Sequence, residues 1–174
     1  VHLLQQLKYS LKFNMDKALL HQTILAELNS LRQDAINSAM QAYNTATHEE
    51  NVADNKYDTL GLEASYLAHG QAKRVATCEA SLTAFAELKT THFTQQTAIS
   101  LGALTYLMDD NDVEQILFLS PVSGGVKVNV SGLSITLITP SAPLGKKIMG
   151  CYVDDEIDIE LAGQKNHYYI TAIY

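Results

Sequence analysis

The chain has 174 residues, 47% of them hydrophobic, with no Trp, two Cys and a formal net charge of −7 at neutral pH. That length is enough to bury a core as one domain or two small ones. The charge argues against a protein that coats nucleic acid through general electrostatics. No apolar run in it approaches the roughly 18–20 residues that span a bilayer. Cys78 and Cys151 have no ligand-like spacing and read as reduced core thiols of a cytoplasmic protein.

The segment VHLLQQLKYSLKFN, residues 1–14, has an apolar run too broken for a signal-peptide core. It reads as an extension or a mis-called start, with Met15-Asp16-Lys17 as the natural beginning of the helical pattern. From there Ile24, Leu28, Leu31, Ala35, Ala39, Ala42 and Ala46 recur at steps of three and four, an a/d heptad seam. Residues 15–60 contain no Pro or Gly. A second series follows at Leu60, Ala64, Leu67, Gln71, Val75, Cys78, Leu82 and Phe85. Two such helices joined by about a dozen polar residues predict a long antiparallel coiled-coil hairpin over 15–92, with its tip near 48–58. Helices of about 28 residues at about 1.5 Å per residue would reach roughly 40 Å, narrowing where Ala dominates the seam. On the pattern alone a dimerisation or scaffolding coil fits equally well.

After TTHFTQQTA (90–98), which has the composition of a linker, the period changes to two. Residues 99–108, 114–121, 125–132, 133–139, 155–161 and 167–174 read as strands. Turn signals stand at DDND (109–112), PVSGG (121–125) and AGQKN (162–166), and a short helix fits between Pro143 and Gly150. The expected class is α+β: a helical hairpin followed by a small antiparallel β domain over 97–174 with one short helix.

Order and local motifs together resemble the bacterial Gre-type transcription elongation factors. In that family the hairpin tip carries an acid, two intervening residues, an acid followed by Asn, and a Tyr soon after. Asn51-Val52-Ala53-Asp54-Asn55-Lys56-Tyr57 looks like that motif with one residue deleted before the Tyr. Glu63, Ala64 and Gly70-Gln71 resemble positions of the returning helix. The run ITLITPSAPLGKKIMGCYVDDEIDIEL (135–161) resembles the family's strand, Ser-Pro loop, Leu-Gly-Lys, short helix and Gly-Asp step. Three departures stand out: Asn51 replaces the first tip acid, Asp154 replaces the Gly, and Thr139-Pro140-Ser141-Ala142-Pro143 carries an extra Pro.

The resemblance implies an FKBP-like C-terminal domain that docks on RNA polymerase through Thr139, Pro140, Ser141, Pro143, Leu144 and Gly145. It implies a hairpin that enters the polymerase secondary channel, stimulating cleavage of backtracked RNA or modulating the active centre. Such a protein is not an enzyme alone. It holds no cofactor of its own but shares a Mg²⁺ with the polymerase, meets the nascent RNA 3′ end only there, and neither reads DNA sequence nor touches membranes. Phosphodiester hydrolysis needs a metal-bound water of lowered pKa, and Mg²⁺ takes one or two carboxylates while keeping several waters. Asp54 suits that role, with Glu50, or Glu49, as second acid and Asn51 as a neutral oxygen donor. Asn55, Lys56 and Tyr57 would support the tip. The plainer alternative is that Glu49 and Glu50 solvate the turn and Asp54 caps the second helix. His21, His48, His69, His92 and His167 are scattered without ligand spacing, and the acidic runs 109–114 and 154–160 read as solvated faces. Lys73 and Arg74 would face acidic protein surface, RNA or only solvent.

Three other functions compete: polymerase binding without cleavage, because Asn51 is not an acid; a plain coiled-coil scaffold; and a peptidyl-prolyl isomerase with an arm. The last needs one aromatic pocket, and the pattern does not gather Tyr106, Phe118, Tyr152, Tyr168, Tyr169 and Tyr174 into one.

Overall fold

Helix α1 spans Lys17–Thr47 and helix α2 spans Leu60–Ala86 in the computed structural model, which describes residues 16–48, 60–161 and 163–174. Asp16 starts α1. Its Oδ1 accepts from the amides of Ala18 at 2.9 Å and Leu19 at 3.2 Å, and its carbonyl takes the first intrahelical bond, from Leu20. Every expected seam position of α1 turns inward: Ile24, Leu28, Ala35 and Ala42 are buried, and Leu31, Ala39 and Ala46 half-buried.

On α2 the seam runs Ala64, Gln71, Val75, Cys78, Leu82 and Phe85, with one correction. Leu67 is 56% exposed, and its neighbour Ala68, half-buried, takes the inward place. Steps of three and four leave either residue geometrically eligible after Ala64. The smaller one suits a close approach opposite the alanines of α1. Arg32 Nε meets Glu79 Oε1 at 3.3 Å and Cys78 Sγ lies 3.9 Å from the Leu31 carbonyl. That contact lies sixteen residues before the end of α1 (31 to 47) and eighteen after the start of α2 (60 to 78). The two helices therefore run antiparallel from their connection. The ion pair, partly exposed at both ends, contributes under about 1 kcal/mol; the seam supplies the adhesion.

The second half forms one six-stranded sheet: β1 (Leu104–Asp109), β2 (Glu114–Leu119), β3 (Lys127–Val130), β4 (Leu133–Ile138), β5 (Glu156–Leu161) and β6 (Gln164–Ile173), with helix α3 (Pro143–Ile148) between β4 and β5. The order is β3-β4-β2-β1-β6-β5. The sheet is mixed rather than antiparallel, because β2 and β4 pair in parallel. After β2 the chain reverses and leaves a slot one strand wide before laying down β3. A two-residue turn at Ser131 (φ 51°) and Gly132 (φ 82°) then folds β4 back into the slot. Positive φ at both positions is the twist-matched hairpin geometry.

Two boundaries also differ from expectation. Residues 99–103 bridge instead of forming a strand: Ile99 donates to the Cys151 carbonyl and accepts from Gly150 (both 2.8 Å), and Gly102 donates to Leu119. The expected turn over 162–166 is shorter, since Gln164 already pairs with Leu161 and Lys165 and Asn166 lie in β6.

Both faces of the sheet are covered. Leu107, Leu117, Leu119, Ile157, Ile159 and Ile170 join Phe93, Ile99 and Ile148 of α3 in one core. Leu104, Tyr106, Phe118, Val128, Ile135 and Leu137 are buried on the opposite face. There the first turns of α1, which group with the β domain as far as Ile24, bring His21 edge-on to Phe118 at 5.8 Å. Leu25–Leu88 with Pro121–Ser123 make a separate compact unit. No helix among the described residues is long and apolar enough to cross a membrane.

Asp154, which stands where the resembled family has Gly, sits at φ 70°. Its amide donates to Ile170 while Asp155 Oδ2 accepts from Tyr152 at 2.7 Å. Asp is among the few side chains that enter this left-handed region at modest cost. Asp154→Gly is expected to stabilise the chain by up to about 1 kcal/mol in urea unfolding; a loss of stability would show that the carboxylate matters more than the backbone strain.

Across β5 and β6, His167 Nδ1 lies 2.8 Å from Asp158 Oδ1, and its ring stands edge-on to Tyr169. The hydrogen bond to Asp158, reinforced by the charges of Asp110, Asp158 and Glu156, raises the imidazole pKa above its ordinary 6.5. A raised histidine stabilises the fold fully below the unfolded pKa and loses that contribution as pH rises through the folded one. NMR titration of Asp158→Asn should return His167 toward 6.5. The stability difference from the parent chain should be largest below that pH and shrink above the folded pKa.

Candidate functional site

The chain after β4 is built into a tight, largely predetermined loop. Ser120 donates to the Ile138 carbonyl at 2.8 Å, which fixes the strand end. The Thr139 carbonyl then accepts from Ala142 at 3.0 Å, and Thr139 Oγ1 lies 2.9 Å from Ser141 Oγ. Pro143 occupies the first turn of α3, where its missing N–H costs nothing. Gly145 packs directly beneath: a Cβ there would stand 2.0 Å from the Thr139 carbonyl oxygen and 2.9 Å from its carbon. The close approach is between two backbones, so no side-chain rotation relieves it. Leu144 packs half-buried against the core and Ile148 is fully buried.

The result is a surface loop held from below. Ser141 and Pro143 are exposed, Thr139 and Pro140 half-buried, and Lys146, Lys147 and Met149 exposed just beyond. All six residues named as the docking loop therefore fall within one short segment, with Leu144 and Gly145 as its anchors and the other four as its face. Its face offers the hydroxyls of Thr139 and Ser141.

The tip residues Glu49, Glu50, Asn51, Asp54, Asn55, Lys56 and Tyr57 lie outside the described residues. What is described are the helix ends beside them. Met40 and Tyr43 near the end of α1, and Leu62, Tyr66 and Leu67 in the first turns of α2, are all more than half exposed, Tyr66 reaching 71%. Large apolar side chains gathered at one end of a surface element are a mark of contact with another macromolecule. Lys73 and Arg74 are exposed farther along α2. Among the described residues no group of three or more His, Cys, Asp and Glu side chains is placed to hold a metal ion.

Among the described residues the aromatic side chains of the β domain are divided between the sheet faces and the surface. Tyr106, edge-on to Tyr174 at 5.5 Å, lies with Phe118 on one face and Tyr168 on the other, while Tyr152 and Tyr169 are exposed. Sequence reasoning missed Lys17, whose ammonium lies over the Phe93 ring at 4.4 Å. The available signal was a cation in the first turn of a long helix, where the helix dipole disfavours it.

No protein-family model matches the chain, and no curated protein matches it. Among solved structures the chain is similar to GreA factor homolog 1 of Thermus thermophilus, at 18% identity over 86% of this chain and 94% of that one, TM-score 0.37. Its Thermus aquaticus counterpart aligns at 18% identity over 84% and 91%, TM-score 0.36. The prokaryotic transcription elongation factor GreA/GreB from Nitrosomonas europaea aligns at 19% identity over 55% and 78%, TM-score 0.35.

The backbone packing at Gly145 yields a prediction. Gly145→Ala should cost about 1–3 kcal/mol in urea unfolding, as overpacking against fixed atoms does. Ser141→Ala, on the exposed face of the same loop, should stay within about 0.5 kcal/mol of the parent.

Proposed function

We propose that this chain is a transcription elongation regulator that binds RNA polymerase. It inserts the end of the helical pair into the secondary channel and docks the 139–145 loop near the channel rim. The observation that carries the reading is the set of exposed apolar side chains, Met40, Tyr43, Leu62, Tyr66 and Leu67, flanking an acid-rich connection. A helical pair with such flanks and a polar, acidic end suits insertion between protein walls toward a metal-containing centre. The rigid Thr139–Gly145 loop and the tip motif's likeness to Gre-type factors support the same partner.

In this reading Asp54, with Glu50 as the second acid, would help hold a Mg²⁺ shared with the polymerase. That ion, when bound, would supply an activated water and charge stabilisation on the phosphate. The chain's own part is delivery and orientation, the hydrolytic centre being the polymerase's. Asn51 favours a second reading, in which the factor binds and modulates the centre without stimulating cleavage.

Retention of purified RNA polymerase on the immobilised chain is the test of binding. Tyr43→Glu and Leu62→Glu, exposed positions that leave the seam intact, should weaken retention by on the order of tenfold or more. Unchanged retention in both, or none by the parent chain, would overturn the proposal. Transcript cleavage in stalled elongation complexes separates the two readings. Cleavage that Asp54→Ala abolishes while retention persists identifies the first, and no cleavage at saturating factor identifies the second.

A further inference from the structure

Lys17 is an unusual lysine on several independent grounds. Its Nζ donates to the carbonyls of Thr91 and Gly102 and lies over the buried Phe93 ring, so the amine is held in one place rather than swept through solvent. It borders an open cavity of about 520 Å³ lined with Asp16, Thr90, His92, Phe93 and Tyr174. It stands in the first turn of a 31-residue helix, at the positive end of the dipole. We propose that Lys17 is an acylation site, and that the cavity admits a small activated acyl donor of the acyl-phosphate class to it.

Its protonation state suits this role. Burial lowers the Lys17 pKa from 10.5 to about 8, in the direction the helix dipole also favours. At pH 7 about one molecule in ten would carry the neutral, nucleophilic amine, against about one in three thousand for an ordinary lysine. Among the described residues the charged and titratable groups around it are few. The Asp16 carboxylate is engaged with the amides of Ala18 and Leu19. His21, one turn along, has its own pKa lowered, by burial first and Lys17 second. His92 and Tyr174 complete the wall.

In the reaction, the Lys17 amine attacks the acyl carbonyl carbon and a C–N bond forms. The C–O bond to phosphate breaks, phosphate departs with the electron pair, and the surplus ammonium proton passes to solvent. The product amide keeps a single N–H and no charge, so the ring contact with Phe93 loses its cation and one of the two carbonyls loses its donor. Acylation would thus loosen the start of α1 from the segment 91–102, whatever the partner of the helical pair. The inference is independent of the polymerase reading.

The test uses the full chain and acetyl phosphate, with acylation read site by site by mass spectrometry. At pH 7 Lys17 should react on the order of tenfold faster than Lys89, Lys146 and Lys147, which are exposed. Its rate should level off above about pH 8 while theirs still climbs. The advantage should vanish in denaturing urea. A Lys17 rate no greater than that of the surface lysines, or an advantage that survives urea, overturns the proposal.

Discussion

Burial of β1 on both faces is the constraint around which the β domain is arranged. Leu104, Thr105, Tyr106 and Leu107 are consecutive and all buried, between β2 on one side and β6 on the other. A strand in that position needs an apolar layer above and below. On one side it receives Phe93, Ile99 and Ile148; on the other, the first turns of α1 supply His21 against Phe118. The opening residues of a helix that otherwise belongs to the hairpin are thereby committed to the sheet. Lys17, at its very start, is drawn into partial burial for the same reason. An amine with a lowered pKa is a by-product of covering β1.

The 139–145 loop follows from the same economy of space. Residues 99–103 run between α3 and the sheet, bonded to Gly150 and Cys151 at one end and to Leu119 at the other. That fixes where α3 ends, and the Gly145–Thr139 approach fixes where it begins. A loop determined at both ends keeps one face, with little conformational freedom left to lose. The helical pair offers a different kind of surface, with large apolar side chains exposed toward its connected end and an alanine-lined seam between the helices.

Much of this was legible in the sequence, and the failures have physical causes. The α1 seam was readable throughout because heptad spacing ties burial to position. Leu67 was misplaced because hydrophobicity favours Leu over Ala, whereas close helix packing favours the smaller residue. Six strands were readable from alternation, but neighbours were not, since alternation records which way side chains point and nothing about who lies alongside. Hence the parallel β2–β4 pair went unseen. The stretch 99–103 alternates without forming a strand, its bonds going to Gly150 and Cys151 after α3 and to Leu119 at the end of β2. Asp154 was noted as a misfit to the family pattern, and the backbone explains how it is tolerated. Of the candidate site, the loop after β4 and the short helix behind it were legible through the Ser-Pro and Leu-Gly-Lys signature. Lys17 was passed over, because its surroundings come from segments far away in the chain.

The order of strands has a consequence for biogenesis. The α1–α2 pair joins residues separated by one short connection, so it is assembled from contacts that become available early in synthesis. The sheet is different, since its central strand β1 has β6 as a permanent neighbour, and Leu104 and Tyr174 exchange backbone hydrogen bonds at 2.9 Å. β1 therefore leaves the ribosome with one edge unpaired and must wait for the rest of the domain to be made. Local helix contacts form quickly, and long-range strand pairing is slow and exposes edges in the meantime. A nascent chain of this protein would carry a formed helical pair ahead of a sheet still missing its partner strand, and the interval between them is where misassembly would begin.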